Sequence, residues 1–172
     1  MKLKFALLIT LYIASTCFAK YVPTPEMAMT LPTAKDTVKW VPQHMDGSAT
    51  GIIFELVPEG QNINAWKEMV AQQITFTKDS AFKHINGWEK MIKNGDPNVE
   101  VTRMENEDGS YLVTYTSKAF NEYSIRRFVK ASDGIYAIAY HVRLNHMDKE
   151  RIELWNRLIN EVELIPNPEK SR

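Results

Sequence analysis

The chain has 172 residues, of which 44% are hydrophobic and 24% charged, and its 21 basic residues balance 21 acidic ones. This composition is typical of one globular domain and excludes a disordered or low-complexity chain. The balanced charge also excludes the strongly basic surface by which nucleic-acid-binding proteins hold phosphates.

The first 19 residues have the order of a secretory signal: Lys2 and Lys4, a short apolar stretch, and a small-residue end. We expect cleavage after Ala19 and export of the chain, either to the periplasm or out of the cell. Cys17 is the only cysteine, and its neighbours depart from a lipoprotein box, so we expect no lipid anchor there. The processed chain then has no cysteine for disulfides, thiol catalysis or thiolate metal sites. Without Lys2 and Lys4 it has 19 basic and 21 acidic residues, a net charge of −2.

Three segments follow the signal: a proline-containing leader at 20–35, a single domain at 36–165, and a polar tail at 166–172. The leader is expected to be an extended linker or a crossing strand, and a partner-binding arm is the alternative. The domain begins with two predicted strands around the turn Asp46-Gly47. A helix capped by Asn62 or Asn64 is predicted next, because four apolar residues recur at helical spacing: Trp66, Met69, Val70 and Ile74.

The second half of the domain has clearer signals. A helix is predicted from Asp79 or Ser80 to Lys93, with Asn94-Gly95 as its stop. Four short runs with turn residues between them predict an antiparallel meander over 98–143. A last helix is predicted after Asp148, with an apolar face made of Ile152, Trp155, Leu158, Ile159 and Val162.

These elements predict an α+β fold with a mainly antiparallel sheet of about six strands. The run IYAIAYHV at 135–142 has apolar side chains on both faces, as expected of a strand that is covered on both sides. We therefore expect helices on both faces of the sheet, in an α/β/α sandwich.

Two stretches carry a family resemblance: FELVPEGQNINAWKEM at 54–69, and IYAIAYHVR at 135–143 followed by a helix with Trp155. Over 36–165 the chain resembles small secreted bacterial domains of the PsbP/Mog1-like fold. The resemblance implies a non-enzymatic adaptor, assembly or binding role, and it transfers no catalytic residue to this chain. A fold resemblance by itself does not assign a function.

The densest group of polar residues is His141 and Arg143, on one side of a strand end, with His146 in the following loop. The expected reading is a strand tip that meets water. The functional alternative is a site for an anion or carboxylate, since arginine offers a two-pronged donor and histidine a donor near neutral pH. No HExxH spacing or phosphate-binding glycine pattern is present, so we expect no metal or cofactor.

Two further features concern binding. Trp40 precedes Pro42, which is typical of an edge strand, so an exposed Trp40 could anchor a partner. Arg126 and Arg127 fall on opposite faces of one strand, and a structural arginine paired with a carboxylate such as Glu122 is expected. The sequence thus predicts a non-enzymatic binding module for a protein or a small anionic ligand. The alternative is a small hydrolase or transferase with a cleft that includes His141 and Arg143.

Overall fold

The computed structural model describes residues 22–167. The expected signal segment, Cys17 and the last five residues of the predicted tail lie outside the described residues. In chain order the elements are β1 (Met27–Met29), β2 (Trp40–Ser48), β3 (Gly51–Pro58), β4 (Glu68–Thr75), α1 (Ala81–Gly95), β5 (Glu100–Glu105), β6 (Tyr111–Ser117), β7 (Glu122–Lys130), β8 (Ile135–Arg143), α2 (Lys149–Asn160) and β9 (Leu164–Pro166).

Seven strands form one antiparallel sheet in the order β2-β3-β4-β8-β7-β6-β5, and β1 pairs with β9 in a second, two-stranded sheet. The chain first builds one half of the large sheet as the meander β2-β3-β4. It then passes through α1 and builds the other half as the meander β5-β6-β7-β8. The halves join where β8 pairs with β4, so these two strands lie in the middle of the sheet.

Each helix packs on a different face of the large sheet. Ala81, Ile85 and Trp88 of α1 belong to a buried cluster with Phe128 and Ala137 on one face, which we call the α1 face. The opposite face, the α2 face, carries a larger cluster that includes Val70, Ile125, Tyr140 and the helix residues Trp155, Leu158 and Ile159. The Tyr140 and Trp155 rings stack in parallel with centroids 4.7 Å apart.

The predicted α/β/α sandwich with about six strands is wrong. Among residues 22–167 there are two α-helices, of 15 and 12 residues, beside nine strands. The fold is mostly antiparallel sheet, and α1 leaves the β2-β3-β4 half of its face without a helix. Residues 135–142 are buried on both faces of the sheet, as expected, with Ile138, Tyr140 and Val142 in the α2-face cluster and Ile135 and Ala137 in the α1-face cluster.

The predicted helix after Asn62 is also wrong, because residues 68–75 form strand β4. Met69 and Val70 are both buried, but they point to opposite faces of the sheet instead of sharing one side of a helix. Val70 and Ile74 are β-branched, and pairing with both β3 and β8 gives this segment a full set of ladder partners. Tertiary pairing therefore outweighs the helical spacing of the apolar residues.

Smaller corrections concern the first hairpin and the ends of the chain. The turn lies at residues 49–50, since β2 continues through Asp46-Gly47 and Ser48 pairs with Gly51. Part of the predicted leader forms strand β1, which agrees with the crossing strand expected there, and β9 includes Pro166, the first residue of the predicted tail. The four strands predicted over 98–143 are confirmed as β5 to β8.

The two remaining helices are confirmed together with their caps. The side chain of Ser80 accepts a hydrogen bond from the Lys83 amide at the start of α1, and Asp148 accepts one from the Arg151 amide at the start of α2. The predicted apolar face of α2 points into the cluster on the α2 face, and Ala81, Ile85 and Trp88 of α1 point into the cluster on the α1 face.

Candidate functional site

His141 and Arg143 both lie on the α1 face, at the end of β8, and each is engaged inside the protein. His141 is buried, with 5% of its surface exposed, and its Nδ1 lies 2.7 Å from Oε1 of Glu122 on β7. The Arg143 guanidinium stacks 3.8 Å from the centroid of the Trp66 ring and donates a hydrogen bond to the Phe120 carbonyl. The expected solvated strand tip therefore does not describe His141.

Glu122 joins His141 to Tyr115 on β6, whose hydroxyl donates a hydrogen bond to the same carboxylate. Burial raises the pKa of Glu122, but the hydrogen bonds from His141 and Tyr115 outweigh it and hold that pKa below its ordinary value. Burial and the neighbouring Glu122 charge raise the pKa of the Tyr115 hydroxyl. The three side chains connect β6, β7 and β8 within the sheet.

Two buried polar atoms in this region have no hydrogen-bond partner among the described residues. Nε2 of His141 is buried and forms no hydrogen bond with any residue in 22–167, and the same holds for Oγ of Ser124 on the neighbouring strand. A histidine that activates a nucleophile must reach it through its second ring nitrogen. His141, Glu122 and Tyr115 form a buried polar network, and the hydrolase or transferase alternative stays a prediction.

The other candidates do not converge on His141. Trp40 lies on the α2 face, where its ring meets Trp155 edge-on at 5.3 Å and its Nε1 donates to Asp36 at 2.8 Å. His146 is exposed in the short turn after β8 and forms no ion pair or hydrogen bond within the described part of the chain. Binding through either residue stays a prediction.

Arg126, which was expected to be a structural arginine paired with a carboxylate such as Glu122, lies at the middle of β7 on the α1 face. Only 9% of its surface is exposed, yet no carboxylate of residues 22–167 forms an ion pair with it. Its Nη1 donates to Oε1 of Gln73 at 3.3 Å, and its guanidinium lies over the rings of Trp88 and Phe128. Its Nε is buried and has no hydrogen-bond partner among the described residues.

A buried, unpaired arginine is expensive, because the charge has left water without a compensating anion. Burial lowers the pKa of Arg126, and the nearby Tyr115, Glu122 and Glu55 act against that shift. The expected partner, Glu122, is held by His141 and Tyr115 instead. Since arginine keeps its proton in proteins, the guanidinium stays positive.

The strand register explains how Arg126 reaches Gln73. Arg126 lies opposite Ala139 on β8, which in turn lies opposite Ala71 on β4. Gln73 is two residues along β4 on the same face, so the arginine side chain must cross β8 above small alanine side chains. An arginine on β7 and alanines at the facing positions of β8 are the only sequence signals for this arrangement, and they make sense only once the register is known.

A shallow pocket of about 330 Å³ lies next to this position on the half of the sheet that α1 leaves open. Gln73 lines the pocket and also binds Arg126, so it connects the two. Most lining residues lie at alternate positions of β2, β3 and β4 that face the α1 side of the sheet: Asp46, Ser48, Gly51, Ile53, Gln73 and Thr75.

Comparisons with known proteins do not place the chain in a family. No protein-family model matches the sequence, and no curated protein matches it significantly. The resemblance to PsbP/Mog1-like domains therefore stays a prediction.

Membrane-spanning helices and metal-binding clusters are the two features that would narrow the kind of site. Within residues 22–167 no helix has the length and apolar character needed to cross a membrane. The same part of the chain holds no group of three or more His, Cys, Asp or Glu side chains placed to share a metal ion. Because of their burial and contacts, Arg126 and the adjoining pocket form the candidate site.

Proposed function

We propose that this chain is an exported, non-enzymatic binding module that holds a small ligand through an anionic group at Arg126. The observation that carries the proposal is the buried Arg126 guanidinium, which has no carboxylate partner within the described residues. A ligand carboxylate would supply the missing counter-charge. It would also give the unpartnered Nε a hydrogen-bond acceptor.

The chemistry of the guanidinium supports a carboxylate as the bound group. Arginine presents parallel N–H donors that match the two oxygens of a carboxylate, and charged hydrogen bonds of this type are stronger than neutral ones. Their strength increases where neighbouring groups exclude water. The guanidinium lies over the rings of Trp88 and Phe128, so these side chains limit its movement and its hydration.

The surroundings of Arg126 support binding in preference to catalysis. Its one side-chain hydrogen-bond partner is the amide of Gln73, which neither takes nor supplies a proton at ordinary pH. Burial together with the Arg126 charge lowers the pKa of the His84 ring. A fixed cation whose own hydrogen-bond partner does not exchange protons suits recognition of an anion.

The proposal is tested by a titration of the purified protein with acetate, propanoate and butanoate, followed by two-dimensional NMR at constant ionic strength. The matching neutral amides serve as controls for the ligands. We expect saturable shifts of the Trp88 indole signal with at least one carboxylate and none with its amide. Arg126→Met should abolish the response.

The control variant is Arg103→Met, which removes an arginine from the same face of the sheet but from an ion pair with Glu89 at its far edge. Carboxylate binding should survive in this variant. Equal responses to acid and amide, or an unchanged response in Arg126→Met, would contradict the proposed function.

A further inference from the structure

We infer that the ligand is a short zwitterion, with its carboxylate on Arg126 and its ammonium group on Glu55. This inference rests on the proposed function and names the class of ligand that the site takes. It follows from the charges that flank the open half of the α1 face. Arg126 provides a positive end, and Glu55 on β3 provides a negative end.

Glu55 and Arg126 approach each other across two alanines. Along one row of the sheet the register places Glu55 opposite Ala71, then Ala139, then Arg126. Arg126 already spans β8 to reach Gln73 on β4, and β3 is the next strand. About one strand spacing, roughly 5 Å, therefore separates the region of the guanidinium from the strand that carries Glu55.

The two charges do not neutralise each other directly. Glu55 is half-buried, and its side chain forms no ion pair or hydrogen bond with other residues of the described chain. It is nevertheless near enough for its charge to act on Arg126. A cation and an anion are thus held on one face, close but apart, above the small side chain of Ala71.

This separation favours a ligand that carries both charges. A simple carboxylate would satisfy Arg126 but would meet repulsion from Glu55 and from Asp46, which lines the pocket. A simple amine would meet repulsion from Arg126. A molecule with a carboxylate and an ammonium group a few bonds apart, such as an α- or β-amino acid, satisfies both ends, and opposed charges of this kind give selectivity against singly charged competitors.

The test compares each carboxylate with the amino acid that adds one terminal ammonium group: acetate with glycine, propanoate with β-alanine, and butanoate with 4-aminobutanoate. Dissociation constants come from NMR titrations of the intact protein. We expect at least one amino acid to bind about tenfold more tightly than its parent carboxylate, a difference of about 1.4 kcal/mol. Glu55→Gln should remove that preference and leave carboxylate binding intact.

The control variant is Glu105→Gln, which removes a carboxylate on the same face but on the outer strand β5. The amino-acid preference should persist in this protein. If every carboxylate binds as well as its amino acid and binding still requires Arg126, the zwitterion inference fails while the proposed function stands. If no compound of either series binds, both fail.

Discussion

Strand β7 carries two adjacent buried arginines whose surroundings differ sharply. Arg127, on the α2 face, has 6% of its surface exposed, and every nitrogen of its guanidinium has a partner. Its Nη2 pairs with Asp108 at 2.5 Å, its Nε donates to Ser110, and its Nη1 donates to the carbonyls of Asn160 and Val162. Arg126, on the α1 face, has the Gln73 amide and two aromatic rings.

Arg127 has the partners of a structural arginine, whereas we propose that Arg126 is available for a ligand. Arg127 joins the turn after β5 to the C-terminal end of α2, where free carbonyls and the negative end of the helix dipole favour a cation. Within residues 22–167 Arg126 forms no ion pair, so no salt bridge accounts for its burial. Replacing each arginine in turn should have different effects on the free energy of unfolding.

The largest effect is expected at Arg127. Arg127→Met leaves the Asp108 carboxylate and the carbonyls at the end of α2 without their shared donor, so the free energy of unfolding should fall by about 3–5 kcal/mol. Urea denaturation followed by circular dichroism measures the loss. Arg157→Met, at an exposed position of α2, is the control and should change stability little. A loss below about 1 kcal/mol for Arg127→Met would remove the contrast between the two arginines.

A smaller effect is expected at Glu122, which organises the network beside Arg126. Its pKa is lowered in the folded protein, so its contribution to stability is present above the ordinary value near 4.5 and is lost as pH falls through the lower folded value. Glu122→Gln should destabilise the protein by about 1–3 kcal/mol at neutral pH. It should also make the unfolding free energy fall less steeply as the pH is lowered. Unfolding free energies between pH 3 and 7 check both points, and an acid limb of unchanged slope would contradict this role for Glu122.

The smallest effect is expected at Trp40. Trp40→Phe keeps an aromatic ring against Trp155 but removes the hydrogen bond from Nε1 to Asp36, at a cost of about 1 kcal/mol. Carboxylate binding at Arg126 should not change, because Trp40 lies on the opposite face of the sheet. Thermal unfolding and the NMR titration measure the two quantities. Loss of ligand binding in Trp40→Phe would show that Trp40 contributes to the binding site.

The sequence predicted local structure correctly where the apolar pattern and the flanking turn or cap residues indicated the same element. Strands β5 to β8 have short alternating runs between turn residues, and both α-helices have side-chain caps at Ser80 and Asp148. Residues 68–75 misled the prediction, since Val70 and Ile74 fit one side of a helix as well as one side of a strand. Only their pairing with β3 and β8 decides between these structures.

The candidate site was less accessible to sequence reasoning. His141 and Arg143 are close in the chain, which made them candidates for a site. In the structure each is hydrogen-bonded to another residue of the fold. Arg126, Gln73 and Glu55 come from strands β7, β4 and β3. Strand β7 is brought near the other two only because β8 pairs with β4 over a long sequence separation. Their juxtaposition depends on register, which local periodicity does not supply.

The most direct test of the account is the stability of Arg126→Met, measured by urea denaturation beside its carboxylate binding. Methionine fills the space against Trp88 and Phe128 and removes an unpaired buried charge. The free energy of unfolding should therefore stay the same or rise by about 1–2 kcal/mol while carboxylate binding is lost. A loss of about 3 kcal/mol or more would show that Arg126 is a structural residue like Arg127, and it would contradict the central claim.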